Sequence, residues 1–321
     1  WVAAGGWIGA GLVVYYGYSR KREAAFVERE RWMERIERKE YSVLVAVSSE
    51  RTWRSLMEAA IAIARQHDGE IVAVTVAEVP EGQSLLSGRS LARSLEPFLE
   101  RVVRFGEERG VRVEPVIRIA RRVSHGIVET AREEDCNLLI IGQPTWGSAF
   151  ERILASIVER VLQDAPCHAG IVYGHLDPEN VKGIVVPVTG TANARLAAEL
   201  APAFVERFEA PVRAVTIVEH GTEPEEAKRE EAEAAATLEA AGLKGPLAVL
   251  RRRDVAQGLL GAIHHGELVL MGAPSEGPVA AVVGETVPGA IARSAKNAVI
   301  VVRGVEPRRA HRFERLFFAR S

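Results

Sequence analysis

VLVAV at residues 43–47, closed by the polar turn Ser48-Ser49-Glu50, and IVVPV at residues 184–188, closed by Thr189-Gly190-Thr191, are one pattern met twice in the chain. Working outward from these runs, each leads into an amphipathic helix, at 52–67 and 191–208, and then into a second strand, at 70–79 and 210–220. The matching continues through a helix, a third strand (111–118 and 246–252) and another helix. It then reaches the paired runs Asn137-Leu-Leu-Ile-Ile-Gly142 and Glu267-Leu-Val-Leu-Met-Gly272, and ends in strands at 167–173 and 297–303. The offset is 141 residues at the first strand and 130 at the fourth and fifth, the difference falling in a Gly- and Ser-containing stretch around Glu81–Arg89. Helices alternating with continuously apolar, β-branched strands specify a parallel sheet covered on both faces. The expected fold is therefore α/β, two doubly wound five-stranded parallel-sheet domains in tandem at 41–174 and 182–304. The segment Gly174–Val181, with its turn-forming Asp177-Pro178, links them.

Composition narrows the classes of function. The 321 residues carry 41 basic and 43 acidic side chains, a net charge of −2, which argues against a nucleic-acid partner. The two cysteines, Cys136 and Cys167, fit neither a disulfide framework nor a Cys/His metal pattern and read as small buried hydrophobes. No metal site is expected. Adjacent His264 and His265 diverge by about 100° on a helix and suit a helix C-terminus better than a shared ion. His168 and His175 gain no metal-binding partner either. Arg251-Arg252-Arg253 precedes Asp254, read as a helix cap, and is either a solvated strand end or an anion-attracting rim.

Residues 1–18 are uncharged, hold aromatics at both ends and stop at Arg20-Lys21-Arg22. Positive charge after the apolar run is the reverse of a signal peptide and suits a membrane span whose C-terminal side is cytoplasmic. With no initiator Met, this stretch is read as the end of a final transmembrane helix, set against a buried helix of a soluble domain as the alternative. Residues 19–40 pair opposite charges at helical spacing, such as Glu34 and Arg38, and make a charged helical linker or stalk. Residues 305–321 mix Arg with Phe313, Leu316, Phe317 and Phe318 as a basic amphipathic tail, lying on a membrane surface, docked on a partner or frayed. The expected location is the cell membrane, with 19–321 on the cytoplasmic side.

In doubly wound sheets ligands bind beyond the carboxyl ends of the strands where the strand order reverses, so the loops after the first and fourth strands hold the candidate residues. After the fourth strand of the first repeat the chain reads Gly142-Gln-Pro-Thr145-Trp-Gly147-Ser148, then a helix carrying Ser156, then Ala165-Pro166-Cys167. This resembles the universal stress protein family, whose signature is G-x2-G-x9-G-[ST] before the last helix and strand. The resemblance covers both repeats, about 41–304. It implies a sheet of the adenine-nucleotide alpha-hydrolase type and an ATP or AMP site in which glycine N–H groups cradle phosphate.

Against that signature the first repeat keeps Gly142 and the hydroxyl of Ser156, but has Thr145 and Ala155 at the other glycine positions and Ser48 at the family's nucleoside-contacting Asp. The second repeat has Gly272, Ser275, then Gly284-Glu285 or Glu285-Thr286, with Thr189 in place of the Asp. A carboxylate at Glu285 would repel a polyphosphate. The candidate nucleotide residues are thus Ser48, Gly142, Thr145, Gly147, Ser148 and Ser156, with Thr189, Gly272, Ser275 and Thr286 a poorer second set.

Three readings follow. One is a regulatory or assembly module of degenerate sites, its domains paired through their last strands or as a homodimer. The second is a sensor binding ATP or AMP in the first repeat. The third is an enzyme such as a slow ATPase, disfavoured because neither loop holds a paired carboxylate, a Walker lysine or a nucleophile elbow. The span, stalk and paired domains together resemble the C-terminal part of amino-acid permeases of the amino acid-polyamine-organocation superfamily. The resemblance implies an upstream transporter as partner, with an ion antiporter or channel as the competing host.

Overall fold

In the computed structural model the apolar runs form ten strands joined into one sheet, ordered β3-β2-β1-β4-β5-β10-β9-β6-β7-β8. The structure describes residues 39–143, 149–274, 290–291 and 298–305. The first half comprises β1 Ser42–Ala46, α1 Trp53–Gln66, β2 Glu70–Glu78, α2 Gly88–Glu107, β3 Val113–Ala120, α3 Val123–Glu133, β4 Leu138–Gln143, α4 Ala149–Asp164 and β5 His168–Tyr173. The second comprises β6 Gly183–Pro187, α5 Ala192–Phe208, β7 Val212–Glu219, α6 Pro224–Ala240, β8 Leu247–Arg252, α7 Val255–Ala262, β9 Glu267–Gly272 and β10 Val299–Arg303.

Within each half all strand pairs are parallel, as the unbroken β-branched runs require. The halves meet where β5 and β10 pair antiparallel, with Ile171 opposite Val301, so the expected α/β fold is present as one continuous sheet. Helices on both faces bury every β1 side chain from Ser42 to Val45. One face, under α1, α2, α5 and α6, is a core shared by both halves, from Met57 and Ile61 of α1 to Phe204 of α5. The opposite face packs α3, α4 and α7 through Ile127, Val161 and Leu259.

The extra stretch around Glu81–Arg89 contains a 3-10 turn at Leu85–Ser87 and the start of α2. A Cβ at Gly88 would come within 2.6 Å of Ile119 and 2.7 Å of Val79, which is why this insertion packs instead of looping out. The linker is likewise docked: Leu176 is buried, and its N–H donates to Ser55 Oγ of α1 at 3.0 Å. The histidine pair directly follows the helix end: α7 stops at Ala262 with Ile263 as its C-cap, and Gly266, at φ +86°, turns the chain into β9. The Glu267 carboxylate accepts the His264 N–H at 2.6 Å.

Among the described residues no helix is long and apolar enough to cross a membrane. The expected span at 1–18, most of the stalk at 19–40 and nearly all of the basic tail lie outside the described residues.

Candidate functional site

The strand order reverses between β1 and β4 in the first half and between β6 and β9 in the second, and the loops beyond their carboxyl ends are the places a ligand would enter. In the first half Val47 still holds the sheet, its N–H donating to Val74 O at 2.9 Å, and the chain then leaves it at Ser48, which is exposed. Ser49 starts the helix: its carbonyl accepts Thr52 and Trp53 N–H at 3.2 Å. Across the crevice Gly142 backs onto α1, and a Cβ there would stand 3.3 Å from the Leu56 side chain. Gln143 beside it is buried, and its amide oxygen has no hydrogen-bond partner among the described residues. Thr145, Gly147 and Ser148 lie outside the described residues. Ser156 is exposed beyond the second turn of α4, which already begins at Ala149. Its hydroxyl therefore stands away from that helix's N-terminal N–H groups, unlike the helix-preceding hydroxyl of the signature.

The second half is built differently at the same place. A Cβ on Gly272 would stand 2.5 Å from the Asn193 carbonyl carbon and nearer still to the Ala194 nitrogen, so this glycine lets β9 meet the first turn of α5. Asn193, buried, donates from Nδ2 to Ala273 O at 2.9 Å and accepts the Gly304 N–H at 2.8 Å through Oδ1. One side chain thus ties together the ends of β9 and β10. The Thr189 and Thr191 hydroxyls are 3.0 Å apart, and Thr191 caps α5 by accepting Ala194 N–H at 3.3 Å. A Cβ on Gly190 would lie 2.6 Å from the Glu233 carboxylate. That carboxylate, itself paired with Arg229 at 2.9 Å, closes over the turn after β6. Ser275, Glu285 and Thr286 lie outside the described residues.

The structure thus brings Ser48 and Gly142 to one crevice and Thr189 and Gly272 to the other. The sequence reading missed Gln143, Asn193 and Glu233. Only Asn193 carried a signal, as a polar residue in the first turn of the helix that follows Thr189-Gly190-Thr191. The buried thiols behave as small hydrophobes: burial first, then the neighbouring Cys136, pushes Cys167 up to about 12.

The fold and these crevices define a doubly wound α/β protein of the kind that binds ligands at its strand ends. The universal stress protein family model matches residues 41–172. A universal stress protein of Methanocaldococcus jannaschii is 31% identical over 121 residues, 35% of this chain and 70% of that protein. The Na+/H+ antiporter NhaS5 of Synechocystis sp. is 26% identical over 239 residues, 72% of this chain. This chain spans only 34% of the antiporter's length. Among solved structures, a universal stress protein from Archaeoglobus fulgidus superposes with a TM-score of 0.63 at 17% identity, over 84% of this chain and 98% of that one. The cytoplasmic domain of a prokaryotic cation chloride cotransporter gives a TM-score of 0.56 at 12% identity, over 82% and 95%. This chain belongs to the universal stress protein family.

Proposed function

We propose that this chain is the cytoplasmic regulatory or assembly module of a membrane transporter, without catalytic activity of its own. Its two universal-stress-type domains, 41–174 and 182–304, would be tethered through a stalk at 19–40 to a span ending near residue 18. The observation that carries this reading is the antiporter likeness, which extends over 72% of the chain and so reaches into both halves. The cotransporter domain of similar fold supports it. The host we infer from residues 1–40 is an amino-acid permease, with a cation antiporter as the competing host. Both nucleotide sites read as degenerate, the second more so: Asn193 ties the ends of β9 and β10 together beside Gly272, and the Glu233 carboxylate lies against Gly190.

The crevice of the first half supports a second reading, an ATP or AMP sensor, because Gln143 beside Gly142 buries an amide oxygen that has no partner among the described residues. Two measurements on the full chain separate them. Membrane fractionation should place residues 1–321 in the pellet and a chain lacking 1–22 in the supernatant. Calorimetry with ATP and AMP should show no saturable heat. A truncated chain that still pellets would refute the tether, and a 1:1 isotherm in the low micromolar range would favour the sensor.

A further inference from the structure

We propose that the first half carries a second ligand site, unrelated to the strand-order crevice: an anion pocket at the N-terminus of α3 that takes the phosphoryl group of a small phosphomonoester. A cavity of about 500 Å³ opens there between α3, α4 and the segment after β3. Four arginines, 121, 122, 132 and 160, line it together with His125.

The two halves provide an internal comparison. Arg122, at φ −137° and ψ 130°, holds the N-cap position of α3, and Asp254, at φ −139° and ψ 130°, holds that of α7. The backbone is the same. Asp254 caps its helix by accepting Gln257 N–H at 2.7 Å, whereas α3 has no side-chain cap and no acidic residue in its first turn. An anion is what that position otherwise lacks, since first-turn N–H groups and the helix dipole both favour negative charge.

The independent observation is Ser124. It is 5% exposed and lines the cavity, yet its hydroxyl makes no hydrogen bond among the described residues. A bound oxyanion would give this cavity-facing hydroxyl a partner. Arg122 and Arg160 are exposed at the rim with no ion pair among the described residues, while Arg132 is held by Glu129. Arg121 donates to the carbonyls of Val79, Pro80 and Gln83 and so fixes one wall.

The acidic residues of the lining set the selectivity. Glu81 and Asp164 are exposed there, leaving a small positive excess and not a strongly basic field. One phosphoryl group carrying a neutral or cationic remainder is accommodated, and a triphosphate is disfavoured.

Calorimetric titration of the full chain with O-phosphoethanolamine and inorganic phosphate, at constant ionic strength in chloride, tests this. The expected result is saturable 1:1 binding. Arg122→Asp places the Asp254 type of cap on α3 and should weaken binding at least about tenfold while the unfolding midpoint stays or rises. Arg160→Gln should weaken it by roughly threefold to tenfold, and it carries the test if Arg122→Asp does not fold. No saturable binding overturns the proposal, as does binding that both variants leave unchanged. ATP binding insensitive to Arg122→Asp belongs to the strand-order crevice, so this test and that of the sensor reading fail separately.

Discussion

Gly142 and Gly272 occupy the same place in the repeat and do different things, which no inspection of the letters could reveal. A methyl group on Gly142 meets the end of a flexible leucine, whereas one on Gly272 meets the backbone of α5. A leucine side chain yields by a few tenths of an ångström; a helix held by Asn193 does not. Gly272→Ala should therefore destabilise the protein by about 2–3 kcal/mol, against less than about 1 kcal/mol for Gly142→Ala, as read from urea midpoints. Equal costs would mean that the second crevice is looser than its contacts indicate.

Elements are joined in this molecule by a few charged side chains at strand ends. Glu267, the first residue of β9, accepts two hydrogen bonds from Arg213 of β7, at 2.8 and 2.7 Å, and one from the His264 N–H. Burial alone would raise its pKa, but the Arg213 and His264 hydrogen bonds outweigh that and hold the carboxyl below its ordinary value. The sign follows: the stabilisation is complete above the unfolded carboxyl pKa of about 4.3 and fades as the pH drops through the lower folded value. The stability gap between wild type and Glu267→Gln should thus be widest near neutrality and close in acid. A gap that is constant with pH would show the carboxylate to be incidental. The strand pairs, the cap at Asp254 and the amphipathic helices were legible in the sequence because period and capping chemistry are local. The docking of Gly88 was not, because it depends on Val79 and Ile119, which meet it only in the fold.

At the scale of the whole molecule the decisive contact is Glu58 of α1. It is 3% exposed, accepts from Arg109 at 3.1 Å within its own half and from Arg207 of α5 in the other half at 2.6 Å. Among the described residues the buried Arg207 Nε has no hydrogen-bond partner, and the guanidinium is held by this carboxylate. Glu58→Ala should cost on the order of 3 kcal/mol, because it strands two partly buried arginines, and Glu58→Gln should cost less. Because α1 and α5 share one core, circular dichroism and tryptophan fluorescence should report one coincident unfolding transition for wild type. Separate transitions in Glu58→Ala alone would identify this contact as the coupling between halves.

Read as letters, the chain already contained its fold: two matched series of β-branched runs and amphipathic segments admit little besides a doubly wound parallel sheet, because burial on both faces demands that pattern. It also contained Thr145 and Ala155 at positions where the resemblance to the family expects glycine. The fate of each crevice was beyond it. Gln143, Asn193 and Glu233 acquire their roles from α1, β10 and the Gly190 turn, and Ser124 from a cavity shared with α4. Periodicity is written between neighbours in sequence, whereas a polar group left with or without a partner is settled by groups that meet only when the sheet closes.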